Sequence, residues 1–276
     1  MRALVLSGGG AKGCFQVGAL DYLINEEGLD FNIICGVSVG ALNGAMIAQG
    51  DIVGLKEIWT NIKSSDEIYD ERAFGLLGAA LGKDSLYNNA PLERLVNRYV
   101  DQQKIIDSGR MLRIGVVSLH DSNYYSIAET HSSLKKLILA STAIPIAFSP
   151  INVSHDLMSM VDGGVRNITP LKEAIDLGAN EIYVVLCTPA KLLKVKRDFG
   201  NVKEIAFRTL EILINEVYNN DIETCLEYNL RPDKKKVTLH IIRPDTEICD
   251  TLAFVPDTLQ QGMDVGFEKG RAVLNV

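Results

Sequence analysis

Gly36-Val37-Ser38-Val39-Gly40 places a serine between two glycines, with an apolar run before it and small residues after it. A serine on a sharp strand-to-helix turn takes strained backbone dihedrals, and side chains at the flanking positions would collide there. The turn lifts the hydroxyl above a sheet, and the helix that follows favours negative charge building nearby. This is how a nucleophile is presented; the plainer alternative is a buried serine capping a helix.

A second pattern precedes it. Gly8-Gly9-Gly10-Ala11-Lys12-Gly13 follows the apolar run Arg2–Leu6 and opens a helical stretch. Such a loop turns tightly and points several backbone N–H groups at one spot beside a helix N-terminus, where a phosphate or a transient oxyanion is held. Gly8, Gly10 and Gly13 satisfy the dinucleotide-binding spacing, but Asp30 lies before the second strand where a ribose-binding acid belongs at its end. Cys14 follows Gly13 where a P-loop needs Lys and Ser/Thr. A nucleotide- or phosphate-binding α/β protein therefore stands as the lesser alternative.

Ser38 needs a base. The histidines are His120, His131, His155 and His240, and only about 35 residues precede the elbow, too few for the strands an α/β-hydrolase places before its nucleophile. His155 reads as a hairpin residue and His240 as a strand residue. The third pattern, Asp162-Gly163-Gly164, ends the apolar run Leu157–Val161. An Asp-Gly pair at a strand end is ordinarily a turn. A carboxylate buried among apolar neighbours nevertheless has its pKa raised toward that of a useful base, and the glycines let a second backbone approach. Ser38 and Asp162 are thus a possible two-residue site.

The elements that must position these residues alternate between short β-branched runs and helical patterns, the signature of a mainly parallel sheet wrapped by helices on both sides, an α/β three-layer fold. Strands are expected at Arg2–Leu6, Phe31–Cys35, Leu112–Leu119, Tyr124–Ala128, Ile182–Leu186 and Val237–Ile242. Helices are expected at Lys12–Asn25, Val39–Gln49, Ile52–Ile62, Pro91–Val100, Ser133–Ala140, after Thr169-Pro170, Val202–Leu230 and Thr258–Val273. Ile151–Val153 and Leu157–Val161 read as a hairpin around Ser154-His155-Asp156. Phe74–Leu81, within the weaker stretch 64–90, reads either as a mobile apolar flap over the site or as a buried short helix. No repeat or linker divides the chain, so residues 1–276 are expected to form one domain, with the motifs in about 1–190 and a helical and strand part at 200–276.

Composition narrows the partners. The formal charge is −7, which argues against nucleic acid as the main partner. Cys14, Cys35, Cys187, Cys225 and Cys249 are odd in number and more than 20 residues apart, so a disulfide scaffold or zinc site is not expected and a reducing cytoplasm is. The start lacks the apolar stretch of a signal peptide. Phe31–Gly50 is uncharged, with Gly36, Gly40 and Gly44 at helix-pair spacing, but Asn32, Ser38, Asn43 and Gln49 make it too polar for a membrane span. Lys191–Arg197 is a basic amphipathic run that either touches anionic lipid headgroups at a membrane surface or is a solvated loop; Lys234–Lys236 reads the same way.

Taken together and in this order, the three patterns resemble those of the patatin-like phospholipase family: a glycine loop with a basic residue at Lys12, the elbow Gly36–Gly40, and the triplet Asp162–Gly164. Ser141-Thr142-Ala143-Ile144-Pro145 also resembles that family's S-x-A-x-P block, and the likeness covers about residues 1–190. The resemblance implies a lipid acyl hydrolase with Ser38 as nucleophile and Asp162 as base, an oxyanion held by the N–H groups of Gly9 and Gly10 with Lys12 nearby, and no metal or cofactor. It implies a lipid or fatty-acyl ester as substrate and leaves head group, chain length and oligomeric state open. Acyltransferases sharing the elbow resemble G-H-S-x-G; Val37 stands in the histidine position here, which ranks that alternative low.

Overall fold

Strand β1 (Arg2–Leu6) is a fully apolar run apart from its first residue, and it becomes a central strand. Its side chains alternate between two cores: Leu4 and Leu6 face one side, Ala3 and Val5 the other. The computed structural model describes residues 1–71, 84–192, 194, 198–233 and 235–274. The expected flap at Phe74–Leu81 lies outside these, as does most of the basic run at 191–197.

β1 pairs in parallel with β2 (Ile33–Val37) on one side and with β8 (Glu181–Val185) on the other. Beyond β2 lies β5 (Met111–Ser118), parallel to it, and beyond β8 lies β9 (Thr238–Ile242), also parallel. β6 (Tyr124–Ala128) closes one edge antiparallel to β5. A separate two-stranded ribbon joins β3 (Asp70–Glu71) to β4 (Tyr87–Asn88).

One face of the sheet is covered by α1 (Cys14–Asp21), α2 (Val39–Ala48), α3 (Ile52–Asn61), α4 (Ala90–Tyr99), α5 (Gln102–Asp107), α6 (Leu134–Ser141) and α9 (Pro256–Leu274). The other face carries α7 (Leu171–Asp176) and the 29-residue α8 (Val202–Leu230), whose Tyr218, Ile222 and Cys225 pack on Val5, Cys35 and Val184. The fold is the three-layer α/β arrangement with a mainly parallel sheet that the alternating pattern predicts.

Several boundaries differ for physical reasons. The second strand runs two residues later than expected, because Phe31 stacks edge-on against Tyr183 and pairing starts where Ile33 meets Ala3. The expected helix Lys12–Asn25 is three pieces: a 3-10 turn at Gly10–Gly13, then α1, then a π turn at Tyr22–Glu26. The expected hairpin around His155 is short: Ile151 and Met160 form one antiparallel bridge, and the Val153 N–H donates to the Leu157 carbonyl across the turn. The strand that follows, β7 (Met160–Asp162), pairs with β5 instead. α5 was not expected from periodicity; Asp101 caps it by accepting from the N–H groups of Gln103 and Lys104.

Candidate active site

β2 ends at Val37 opposite Gly115 of β5, and the chain then leaves the sheet at Ser38. β7 takes the vacated place along the same edge, antiparallel, with Asp162 opposite Val116. Two motifs more than a hundred residues apart thereby end at consecutive positions of one strand. The Ser38 side chain lies close enough to the Asp162 carboxylate to act on its titration.

The elbow has the geometry its glycines predict. Ser38 sits at φ 57°, ψ −127°, a left-handed backbone that a residue with a side chain adopts only under constraint. A Cβ on Gly36 would overlap the Gly40 carbonyl, and one on Gly40 would overlap the Leu6 carbonyl. Ser141, in the S-x-A-x-P block, holds the turn from below: its Oγ accepts the Ser38 N–H (2.8 Å) and donates to the Gly115 carbonyl (2.7 Å). Ser141 is fully buried and Ser38 is 3% exposed.

Asp162 is 5% exposed and bonded through Oδ1 to the N–H of Gly164 (2.8 Å). Burial raises its pKa from 3.8 to about 7, against the opposing influence of the nearby Ser38 side chain and the Gly164 N–H. A Cβ on Gly163 would press on the Gly115 backbone.

The glycine loop stands beside the elbow: a Cβ on Gly8 would lie 3.1 Å from that of Ser38. The Gly8 N–H donates to the Ile168 carbonyl and the Ala11 N–H to the Thr251 carbonyl. The Gly9 N–H has no acceptor among the described residues, and that of Gly10, first in its 3-10 turn, has none within the turn. Lys12 is a correction to its expected place near an oxyanion. Its side chain is buried, and its ammonium is engaged by Glu247 (2.9 Å) and Glu211 (3.5 Å). Burial alone would lower its pKa, but the hydrogen bond and charge of Glu247, with Glu211, hold it above the ordinary lysine value. Lys12 ties the loop to α8 and to the segment after β9.

That part of the chain supplies residues the motifs did not announce. Tyr218 of α8 donates to the Gly8 carbonyl (2.7 Å) and shares a 2.5 Å hydrogen bond with Ser7. Asp221, one turn on, accepts the N–H groups of Ile168 and Thr169, and burial pushes its carboxyl up to about 7. The only signal in the sequence was polar residues on the buried stripe of a long helix.

None of the four histidines has a recorded contact with Ser38 or Asp162. His155 is fully exposed, His240 stacks on Tyr183 and pairs with Glu181 at the start of β8, His120 meets Ser159, and the His131 ring accepts the Ser133 N–H. Among the described residues no group of three His, Cys, Asp or Glu side chains is placed to hold a metal ion, and no helix is long and apolar enough to cross a membrane.

From Ser38 and Gly10 an apolar cleft of about 100 Å³ runs between α2, α3 and α4. Trp59, Leu92, Val96, Phe148 and Phe254 are among its walls.

The structure thus sets a strained serine on a strand-to-helix elbow beside a buried carboxylate, at the head of an apolar cleft in an α/β fold. The patatin-like phospholipase family model matches residues 4–175, more than half the chain, and the protein belongs to that family. It is 25% identical over 222 residues to the uncharacterized protein YjjU of Escherichia coli K12, covering 79% of this chain and 61% of that one. It is 23% identical over 285 residues to mouse patatin-like phospholipase domain-containing protein 7, covering 99% of this chain and 20% of the relative. The chain thus spans less than two thirds of the length of either. The crystal structure of VipD from Legionella pneumophila aligns with a TM-score of 0.48 at 14% identity, over 99% of this chain and 66% of that one.

Proposed function

We propose that the protein hydrolyses the acyl esters of lipids, with Ser38 as nucleophile and Asp162 as its base. The observation that carries this reading is a strained, buried serine whose side chain lies against a buried carboxyl raised to about 7, at the head of an apolar cleft. Family membership supports the same class of chemistry.

The acyl chain lies in the cleft, where each buried methylene contributes about 0.8 kcal/mol. The Ser38 hydroxyl attacks the ester carbonyl while Asp162 takes its proton. A carboxyl with a pKa near 7 holds that proton long enough to return it to the departing alcohol, which leaves an acyl-serine. Asp162 then takes a proton from water as the water attacks the acyl carbonyl, and returns it to Ser38. The N–H groups of Gly9 and Gly10 receive the oxyanion in both tetrahedral intermediates; loss of one such donor costs about a hundredfold in rate. Lys12 acts at a distance, by fixing the loop through Glu247 and Glu211. No metal or cofactor takes part in these steps.

The test is a hydrolysis panel over phospholipids, lysophospholipids, monoacylglycerols and short esters, run with wild type and Ser38→Ala. Release of fatty acid by wild type and none by the variant is expected. Equal release by both would overturn the assignment.

A further inference from the structure

The C-terminal ends of parallel strands are where α/β proteins hold ligands, and of the five such ends in a row here the last four are those of β2, β1, β8 and β9. The first two carry Ser38 and the glycine loop. The last two end at Thr188 and Arg243, residues with no part in the proposed hydrolysis.

Arg243 is half-buried and forms no ion pair with any described residue, and its Nε is buried without an acceptor. Burial pulls its guanidinium below the ordinary arginine value. A charge in that position is costly unless something pairs with it. The acids that follow it in the chain already have cations: Asp245 is paired with Lys269 and Glu247 with Lys12.

Two more polar groups around Tyr218, whose hydroxyl lies within the electrostatic reach of Arg243, lack partners. Thr188 is 9% exposed and its Oγ1 is unpaired; it adjoins the Tyr218 hydroxyl, which is already committed to Ser7 and Gly8. Asn215 lies three residues before Tyr218 on α8, and its Oδ1 is also buried and unpaired. Exchanging the oxygen and nitrogen of that amide, which the protein's own hydrogen bonds do not forbid, would make it a donor. A guanidinium, a hydroxyl and an amide around Tyr218 can all donate, and the guanidinium has no acidic partner among the described residues. Phosphate oxygens are what such a set takes, and arginine suits them through its planar fork.

We propose that Arg243, Thr188 and Asn215 form an anion site for a phosphate group at the ends of β8 and β9. Arg243 follows β9, three strand spacings or about 14 Å from β2, so the arginine stands apart from Ser38 and Asp162 while Thr188 and Tyr218 lie nearer the glycine loop. Its ligand is either free phosphate or the phosphodiester of a lipid headgroup.

Titration calorimetry on the full chain tests this with two probes, inorganic phosphate and glycerophosphocholine. Wild type and Ser38→Ala are expected to bind at one site with equal affinity, so the result stands or falls apart from the hydrolase reading. Arg243→Gln should weaken binding about tenfold or more, as loss of a charged hydrogen-bonding partner does. Thr188→Val should weaken it severalfold, and carries the comparison alone if the arginine variant does not fold. Tighter binding of glycerophosphocholine identifies a headgroup as the source; binding of inorganic phosphate alone identifies the free anion. If neither probe binds wild type, or both bind Arg243→Gln and Thr188→Val as well as wild type, the proposal is wrong.

Discussion

Val37 and Asp162 lie opposite consecutive residues of β5, Gly115 and Val116, along the same edge of that strand. One approaches in parallel and the other antiparallel, so the elbow leaving β2 and the carboxylate ending β7 meet head to head. The sheet register, rather than any loop, sets the distance between Ser38 and Asp162.

The first prediction concerns pH. With Asp162 held near 7, kcat/KM for ester hydrolysis should rise about tenfold per pH unit below 7 and level off above it. Asp162→Asn should fold and lose about a hundredfold or more of the rate at pH 8. A profile measured on a short soluble ester checks both; a plateau that extends down to pH 5 would exclude this carboxyl as the base.

Stability should depend on pH in the matching sense. The folded chain keeps the Asp162 proton up to about 7 whereas the unfolded chain loses it near 3.8. Stability from this group is therefore greatest below about 4 and falls by about 4 kcal/mol by pH 7, then stays level. Urea unfolding at pH 5 and pH 8 should show Asp162→Asn losing less stability than wild type between the two.

Ser141→Ala removes the acceptor of the Ser38 N–H and leaves that group buried in a strained turn. A loss of about 1–3 kcal/mol in stability is expected. kcat should fall about tenfold with KM little changed, because the turn and not the cleft is disturbed. Steady-state kinetics separate the two; a rise in KM alone would place Ser141 in substrate binding instead.

Lys12 distinguishes a structural charge from a catalytic one. Lys12→Met leaves Glu247 and Glu211 facing each other without their shared cation, and about 3 kcal/mol of stability should go with it. The fraction that remains folded should still react with a fluorophosphonate at near the wild-type rate. Normal stability with abolished reactivity would return Lys12 to the oxyanion.

Asp221 braces the Ile168 peptide, whose carbonyl in turn holds the Gly8 N–H. Asp221→Leu orphans two backbone donors and should lower both stability, by about 2–4 kcal/mol, and kcat. Asp221→Asn, which keeps an acceptor in place, should restore most of both; failure of that rescue would show that the charge matters rather than the hydrogen bonds.

The three glycine motifs were legible because each demands a backbone that few other residues adopt, and the positions of Ser38 and Asp162 follow from them. The long helix Val202–Leu230 was legible as well, with Asn201 capping it through the Glu204 N–H. Its purpose was not. Tyr218 and Asp221 act on Ser7, Gly8 and Ile168, more than fifty residues away in the chain, and no local pattern encodes that meeting. Lys12 shows the complementary limit: a motif fixes where a long side chain starts, while the glutamates that capture its end come from α8 and from the segment after β9. The displaced start of β2 is of the same kind, set by the aromatic contact of Phe31 with a strand far along the sequence.

The central claim is that Ser38 is a nucleophile activated by Asp162, and the most direct measurement is the rate at which a fluorophosphonate modifies the protein, followed by intact mass and peptide mapping from pH 5 to pH 9. A single adduct on Ser38, forming faster as pH rises through about 7 and at least a hundredfold more slowly in Asp162→Asn, is predicted. An adduct elsewhere, or labelling of Ser38 at the same rate in both proteins, would contradict it.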